Sequence, residues 1–384
     1  MIYFDQAASS FPKPPEVAQA VAEAINEVAA NPGRGSHKLA RQAAEIIVQT
    51  RAITARLFGC SDPNKVLFFP NASAALNQAI KGLSWHAGDH VISTSFEHNS
   101  IRRPLEYLKQ TKGVDVTYID YTGDEQAWLS DIHASIKENT KLIAFTHASN
   151  VTGTVLPLEA VTKLAREKHI TTLVDASQTA GHLAIDMQAQ GIDMLAFPGH
   201  KGLLGPQGTG MLLVEGDVTL TPLIHGGTGR FSEHPDQPDV WPEKFESGTL
   251  NTPGIAGLLA ALKIYEKRKT EHVPRETILA QTLAKGLKTI RTVKCYHPPI
   301  EAMQLPIVAF NVARISSQEI AMILDSHYDI AVRAGLHCSP LAHQTLATTE
   351  QGIVRASLGP FNTEQEVDRF LQAIEEIAAA YQQL

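Results

Sequence analysis

"KLIAFTHASNVTGTVLPLEAVTKLAREKHITTLVDA", residues 141–176, decides the fold because two apolar runs flank a helical pattern. The runs at 141–148 and 171–176 lack strict alternation, which is typical of strands that are covered on both faces. The segment between them, 158–169, has the spacing of an amphipathic helix. Strand, helix and strand in this order predict a βαβ unit with two parallel strands.

The same alternation extends over the first two-thirds of the chain. Five further apolar runs predict strands at 65–69, 90–95, 116–120, 194–199 and 209–215. Helical patterns at 73–83 and 100–111 lie between some of them. Because strands and helices alternate along the chain, we predict an α/β fold whose seven-stranded sheet is mainly parallel and flanked by helices.

The remaining third of the chain has a different organisation. Residues 224–254 are rich in Gly and Pro and predict a long ordered loop, with a helix from about Ile255. A smaller α/β segment follows, with a strand at 306–312 and an amphipathic helix at 364–384.

A chain of 384 residues is too long for one ordinary domain, so we predict two. The large domain is expected at 13–265 and the small C-terminal α/β domain at 266–384. The N-terminal segment 1–12 is expected to pack against the small domain.

Composition restricts the classes of function. The net charge of −7 and the lack of a basic run argue against a nucleic-acid partner. We find neither a signal-peptide pattern nor an apolar stretch that could cross a bilayer, so we expect a cytoplasmic protein without membrane contact. The three cysteines are widely separated, which predicts free thiols and no disulfide framework.

Four polar residues lie at or just after the carboxyl ends of predicted strands. They are His98, Asn150, Asp175 and Lys201. Open α/β sheets bind ligands at the carboxyl ends of their strands, so this placement predicts a shared site. For single residues a simpler interpretation stays open. Asp175 is equally well explained as a helix N-cap, and Lys201 alone could be a surface lysine on a glycine-rich turn.

The stretch "FPGHKGLLGPQG" (197–208) gives Lys201 a chemical interpretation. A lysine amine forms a Schiff base with a carbonyl, and pyridoxal 5'-phosphate (PLP) is held in enzymes by such a linkage. An Asp such as Asp175 keeps the pyridine nitrogen protonated, and His98 could stack on the ring. The predicted helix start around Ala72 and Ser73 offers N–H donors for a phosphate. No metal site is predicted.

The motifs together resemble the class V aminotransferase family of PLP enzymes. "THASNVTGT", "VDASQ", "GHKGLLGPQGTG" and "FESGTLNT" occur in the expected order, and "VRAGLHCSP" follows them. Within the family the chain is most similar to the cysteine desulfurase and selenocysteine lyase branch, over essentially its whole length. The resemblance implies the fold-type I architecture of PLP enzymes and a homodimer with one active site per subunit at the dimer interface.

The resemblance also implies roles around the cofactor ring. Lys201 would be the Schiff-base lysine and Asp175 the partner of the pyridinium nitrogen. Gln178 would hydrogen-bond the ring oxygen, and His98 would stack on the ring. Asn150 matches a residue near the ring oxygen and the substrate carboxylate.

Further implied roles concern phosphate and substrate. Ser73 and His200 would bind the phosphate, with the backbone N–H of Ala72, and Thr249 would reach the phosphate of the neighbouring subunit. Arg355 matches the arginine that binds the substrate carboxylate, which suits a planar bidentate donor.

Two positions depart from the family pattern. Ala72 and Pro198 stand where many relatives have threonine and serine. Each change removes a hydroxyl that could contact the phosphate. The cofactor is then bound less tightly, or other donors compensate.

Cys338 decides which reaction follows. For Cys60 and Cys295 we favour no role beyond that of small apolar side chains. Cys338 precedes Ser339, a good helix N-cap, and a helix N-terminus favours the thiolate. An inward-facing His337 would assist.

By resemblance, "VRAGLHC" carries the sulfur-accepting cysteine of the short-loop desulfurases. Arg333, in the same segment, would help to shape the site. His37, in "NPGRGSHKLA", would approach the substrate, unless it is only an exposed residue at a helix start.

The sequence thus predicts a cysteine desulfurase-like lyase that converts L-cysteine to L-alanine and transfers the sulfur to Cys338 as a persulfide. Lys201 would move the substrate's α-proton. An acceptor protein would collect the sulfur. Selenocysteine lyase, or an aminotransferase or epimerase in which Cys338 is incidental, is the alternative, and a non-catalytic PLP-binding regulator is a third.

Overall fold

The computed structural model describes residues 1–33, 35, 37–268 and 275–382. The strands of this part of the chain are β1 (Ile2–Tyr3), β2 (Val66–Phe69), β3 (His90–Thr94), β4 (Asp115–Ile119), β5 (Thr140–Thr146), β6 (Thr171–Asp175), β7 (Met194–Pro198), β8 (Gly210–Val214), β9 (Val293–Cys295), β10 (Ile307–Val312), β11 (Ile330–Ala331), β12 (Arg333–Gly335) and β13 (Ile353–Ser357).

The α-helices of the same part are α1 (Pro15–Glu27), α2 (Lys38–Phe58), α3 (Ala72–Gly82), α4 (Asn99–Lys112), α5 (Glu125–Ser135), α6 (Leu158–Glu167), α7 (Met187–Gln190), α8 (Thr252–Arg268), α9 (Arg275–Thr289), α10 (Ser317–Tyr328), α11 (Pro340–Thr345) and α12 (Glu364–Gln382). No described helix is long and apolar enough to cross a membrane.

A seven-stranded sheet in the order β2-β8-β7-β6-β5-β3-β4 forms the centre of the larger part of the chain. β8 is antiparallel to both of its neighbours, and the remaining pairs are parallel. The predicted βαβ unit at 141–176 forms β5, α6 and β6, with Leu142 opposite Thr171 and Thr146 opposite Asp175. The predicted α/β class and the mainly parallel sheet are therefore confirmed.

The apolar composition of the strands reflects burial on both faces. In β5, Ile143 and Phe145 pack into one hydrophobic cluster, while Leu142 and Ala144 pack into another on the opposite face. Successive side chains of a strand point to opposite faces, so both must be apolar when helices cover both. This explains why the strand shows no polar alternation in the sequence.

A second, four-stranded antiparallel sheet has the order β12-β13-β10-β9. Its core is a separate cluster that includes Phe310 and Phe370, and Phe4 from the N-terminal segment packs there too. β1 pairs in parallel with β11, with Ile2 opposite Ile330. Helix α8 crosses the boundary predicted between residues 265 and 266. The limits of the two domains stay a prediction.

The loop predicted at 224–254 contains no helix or strand before α8 among its described residues. α8 begins at Thr252, earlier than the predicted Ile255. The reason is local, because Asn251 Oδ1 accepts a hydrogen bond from Gly254 N (3.1 Å) and thus caps the helix.

A buried ion pair anchors this loop to the large sheet. Arg51 of α2 donates to Glu246 in the loop and to the carbonyl of Val66 in β2. Glu246 Oε1 also accepts from Phe68 N (2.7 Å), so both carboxylate oxygens are used. The side chains of Arg51 and Glu246 are only 7% and 5% exposed. The pair therefore fixes the segment that leads to Thr249.

Replacing Arg51 with methionine is expected to lower the free energy of unfolding by about 3–5 kcal/mol, because Glu246 would remain buried without its cation. Arg56→Met is the matched control, since Arg56 lies on the same helix as Arg51 and its ion pair with Glu266 of α8 is exposed, with side chains 60% and 38% accessible. Loss of this exposed ion pair should lower the free energy of unfolding by less than about 1 kcal/mol. Urea unfolding followed by circular dichroism measures the free energy of unfolding of both variants. Equal decreases in the two variants would contradict the stabilising role assigned to the buried Arg51–Glu246 pair.

Candidate active site

Four neighbouring strands bring the predicted polar residues to one edge of the sheet. β3, β5, β6 and β7 are parallel and adjacent, in the order β7-β6-β5-β3. His98 and Asn150 follow β3 and β5, Asp175 is the last residue of β6, and Lys201 follows β7. Parallel neighbours end at the same edge, so these four residues share one region of the fold.

Lys201 lies in a tightly packed turn rather than on the free surface. A Cβ on the next residue, Gly202, would lie 2.6 Å from the carbonyl oxygen of Ala180, so a larger residue would not fit there. Burial lowers the pKa of Lys201 to about 8; the charge of Asp175 opposes this shift, and Arg355 adds to it. The amine is therefore far easier to deprotonate than an ordinary lysine.

Asp175 is buried and is not a helix N-cap, because residues 176–186 contain no helix. Its Oδ1 accepts from Ser177 N (2.9 Å) within a turn. Gln178, also buried, donates from Nε2 to the carbonyl of Ala7 (3.2 Å). The N-terminal segment thus contacts this edge of the sheet.

His98 is the N-cap of helix α4, and its contact with Ser100 links α4 to helix α3. Its Nδ1 accepts from Ser100 N (3.1 Å) and lies 2.9 Å from Ser100 Oγ, which is 2.6 Å from Ser73 Oγ. Burial lowers the pKa of His98 to about 4; the charge of Lys201 adds to the shift and Asp175 opposes it. The ring is therefore neutral near pH 7. Sequence reasoning missed Ser100, although it stands beside His98 in "EHNS".

The start of α3 carries Ala72 and Ser73. Asn71 caps it by accepting from Ala74 N (2.9 Å). The first amides of a helix have no acceptor within the helix, so this end can bind an anion. His200 lies 3.3 Å from Ser9 Oγ through Nδ1, and burial lowers its pKa to about 4.

Arg355 is buried in β13 and faces the same region. It donates to the backbone carbonyl of Asn150 (2.8 Å) and to Asp5 Oδ1 (2.9 Å). Its Nε has no hydrogen-bond partner within the described part of the chain. Burial lowers the pKa of Arg355, and Asp5 opposes this. Asp5, in the N-terminal stretch "MIYFDQAASS" (1–10), was not predicted as a site residue.

Cys338 is exposed, and Arg333 reaches it with NH2 3.6 Å from Sγ. The expected helix N-cap geometry is wrong in two respects. The helix that follows, α11, has only six residues, and Ser339 makes no capping hydrogen bond. Instead, Ser339 Oγ donates to Asn150 Oδ1 (2.6 Å). His337 is buried with Nε2 2.9 Å from the Ile353 carbonyl, and burial holds its pKa far below the usual value.

Two predicted residues make their described contacts outside this group. Thr249 is exposed, and its Oγ1 accepts from Asn31 Nδ2 (3.4 Å). It lines a cavity with Asn31 and Trp241 to which Lys201 does not contribute. His37 is exposed and caps α2 by accepting from Ala40 N (3.4 Å). Their predicted roles stay predictions.

The other two cysteines have different surroundings. Cys60 is buried and Cys295 is half-buried. Burial raises the pKa of each thiol to about 11. A thiol with such a pKa is almost wholly protonated near pH 7 and a poor nucleophile. That neither thiol has a chemical role stays a prediction.

The comparisons with known proteins agree with the geometry. The aminotransferase class-V family model matches residues 2–370. A "Probable cysteine desulfurase" from Methanothermobacter thermautotrophicus is 34% identical over 383 residues, covering 98% of this chain and 94% of the relative. The apo structure of the cysteine desulfurase from Thermococcus onnurineus NA1 has a TM-score of 0.89 at 32% identity, covering 99% of this chain and 95% of that chain.

A third comparison includes a cofactor. A C-DES mutant solved with glycine covalently linked to its PLP cofactor has a TM-score of 0.82 at 25% identity, covering 97% of this chain and 96% of that chain. The likenesses cover both sheets, and they confirm the family and the fold-type I architecture that the motifs predict. The chain therefore belongs to the aminotransferase class-V family.

Proposed function

We propose that this chain is a PLP-dependent cysteine desulfurase, which converts L-cysteine to L-alanine and transfers the sulfur to Cys338. The observation that carries the proposal is the combination of an easily deprotonated Lys201, the neighbouring Asp175 and an exposed Cys338 beside Arg333. An enzyme that only transfers amino groups has no use for the cysteine.

The residues present fit PLP. Lys201 offers an amine for its aldehyde, and Asp175 is a buried carboxylate within electrostatic reach of that amine. The start of α3 offers amides and the Ser73 hydroxyl for the phosphate. Ser100 adds a second hydroxyl 2.6 Å away, which supplies a donor that Ala72 and Pro198 lack. The cofactor, when bound, draws electrons from the bonds at the substrate's α-carbon.

The chain's own groups then have separate tasks. Asp175 holds a proton at the ring nitrogen of the cofactor, and neutral His98 offers a flat face for stacking. Lys201 Nζ would take the α-proton of the substrate and return it, which suits an amine with a pKa of about 8. Arg355 has a free Nε among the described contacts and binds the substrate carboxylate.

Sulfur transfer completes the reaction. The Cys338 thiolate attacks the substrate sulfur, an S–S bond forms, and the carbon–sulfur bond breaks with its electron pair left on the β-carbon. Protonation of that carbon gives alanine, and the sulfur stays on Cys338 as a persulfide. A thiol reductant or an acceptor protein then removes it, and the exposure of Cys338 allows such access.

We also propose a homodimer in which Thr249 serves the phosphate site of the other subunit. Thr249 is exposed and lies with Asn31 in a cavity separate from Lys201, so it needs another chain to reach a phosphate. Val48 and Val240 line the same cavity and are 58% and 47% exposed, which suits a protein contact.

Incubation of the PLP-loaded protein with L-cysteine and a thiol reductant is expected to release sulfide and alanine in equal amounts. Sulfide is measured colorimetrically and alanine by chromatography. An aminotransferase would require an oxo acid as amino acceptor and would form pyruvate derivatives instead of alanine and sulfide. Amino-group transfer or epimerisation without sulfide release would overturn the proposal.

A further inference from the structure

The backbone at Cys338 has an unusual conformation. His337 and Cys338 have φ angles of 49° and 59°, so two consecutive residues other than glycine are in the left-handed region. This region is unfavourable for residues with a Cβ, and it persists only where surrounding contacts hold it. The contacts at this turn therefore determine where the Cys338 sulfur lies.

The side chain of Asn150 hydrogen-bonds to the residues on both sides of Cys338. Asn150 Nδ2 donates to the carbonyl of His337 (2.7 Å), and Asn150 Oδ1 accepts from Ser339 Oγ (2.6 Å). Asn150 is 8% exposed and Ser339 is fully buried, so little water competes for these hydrogen bonds. Both polar atoms of the Asn150 amide are thus engaged with the residues that flank Cys338.

Hydrogen bonds connect the same turn to two other parts of the candidate site. The carbonyl of Cys338 accepts from Asn99 N (2.7 Å), the residue next to His98. The backbone carbonyl of Asn150 accepts from Arg355 (2.8 Å). Cys338 is therefore connected through short hydrogen bonds to the segment of the ring-stacking histidine and to the arginine proposed for the substrate carboxylate.

We propose that Ser339 is a positioning residue, which acts through Asn150 to orient Cys338 for attack on the substrate sulfur. This inference rests on the proposed function. The sequence implied only that Asn150 lies near the cofactor and substrate, and it gave Ser339 a capping role that the structure does not show. Losing the Ser339 hydroxyl would leave Asn150 Oδ1 unpaired and loosen the turn without touching Lys201 or Asp175.

Turnover of two different substrates distinguishes an effect on the position of Cys338 from an effect on the chemistry at the α-carbon. L-Cysteine cannot release its sulfur without a nucleophile to accept it, which is the task of Cys338. L-Cysteine sulfinate can lose sulfur dioxide, a neutral molecule, while the electron pair stays on the β-carbon. Its turnover therefore needs the α-carbon chemistry but no attack by Cys338.

In the PLP-loaded enzyme, Ser339→Ala is expected to lower kcat for L-cysteine by on the order of ten- to a hundredfold, as misplaced reacting groups do. KM for L-cysteine and kcat for the sulfinate should stay within about twofold, since neither depends on the position of the sulfur nucleophile. Sulfide, sulfite and alanine are the measured products. The ratio of the two activities in one preparation is independent of the folded fraction, so poor folding does not obscure the result.

Thr345→Val is the matched control, because it removes a hydroxyl from the short helix that follows Ser339, and that hydroxyl donates to Asp120 and Leu341 and not to Asn150. It should leave both activities unchanged. If Ser339→Ala lowers both activities equally, or neither, Ser339 does not position Cys338 and the inference is wrong. If the wild type releases no sulfide from L-cysteine, the proposed function itself fails, which is a distinct result.

Discussion

Replacing Lys201 with alanine is expected to lower the turnover of L-cysteine by at least about a thousandfold, because in the proposed function this one side chain both holds the cofactor and moves the α-proton. Burial lowers the pKa of this amine to about 8, so roughly one-tenth of it is neutral at pH 7, compared with less than about one-thousandth for an ordinary lysine. Only the neutral amine can attack the aldehyde or take a proton. Sulfide and alanine release measures turnover.

Lys201→Arg tests whether the positive charge of Lys201 is sufficient or whether a neutral amine is required. A guanidinium keeps the positive charge but does not become neutral at working pH. We expect it to be nearly as inactive as Lys201→Ala. Borohydride reduction followed by peptide mass analysis should attach the cofactor to the Lys201 peptide in the wild type and to no peptide in either variant. Attachment at another lysine would contradict the assignment, as would substantial turnover by Lys201→Arg.

The fold was predictable where the pattern is periodic and local. Residues 141–176 contain two buried strands and an amphipathic helix, and burial on both faces leaves an unmistakable apolar signal in β5 and β6. The predicted start of α8 was less accurate, because the start depends on a single capping contact from Asn251. Such a contact leaves only a weak signal in the sequence, although it determines the residue at which the helix begins.

The site was predictable to the level of strand ends and motifs. His98, Asn150, Asp175 and Lys201 follow adjacent parallel strands, so the topology alone brings them to one edge. The contacts that link distant segments were not predictable. Asp5 binds Arg355 across 350 residues, a pairing that no local pattern encodes.

The role predicted for Cys338 stays a prediction, and one of the reasons for it is wrong. The sequence suggested a helix N-terminus capped by Ser339, but the helix has six residues and the serine binds Asn150 instead. What distinguishes Cys338 from Cys60 and Cys295 is exposure, together with a guanidinium 3.6 Å from the sulfur.

Replacing Cys338 with alanine is expected to abolish sulfide release from L-cysteine, with a loss of at least about a thousandfold, because the substrate sulfur then has no nucleophile to accept it. Binding of the cofactor and of L-cysteine should persist, since Lys201, Asp175 and Arg355 are unchanged. L-Cysteine sulfinate should still be converted to alanine, because sulfur dioxide leaves without being attacked. Product analysis with both substrates, and the absorbance change of the bound cofactor on adding L-cysteine, measure these effects.

Cys295→Ala is the matched control, because this half-buried thiol has a raised pKa and should not contribute. It is expected to retain wild-type activity with both substrates. Mass analysis of wild type that has been treated with L-cysteine in the absence of reductant should place the additional sulfur on the Cys338 peptide. If Cys338→Ala releases sulfide at the wild-type rate, another group accepts the sulfur. If it also loses activity with the sulfinate, the cysteine supports the α-carbon chemistry rather than sulfur transfer.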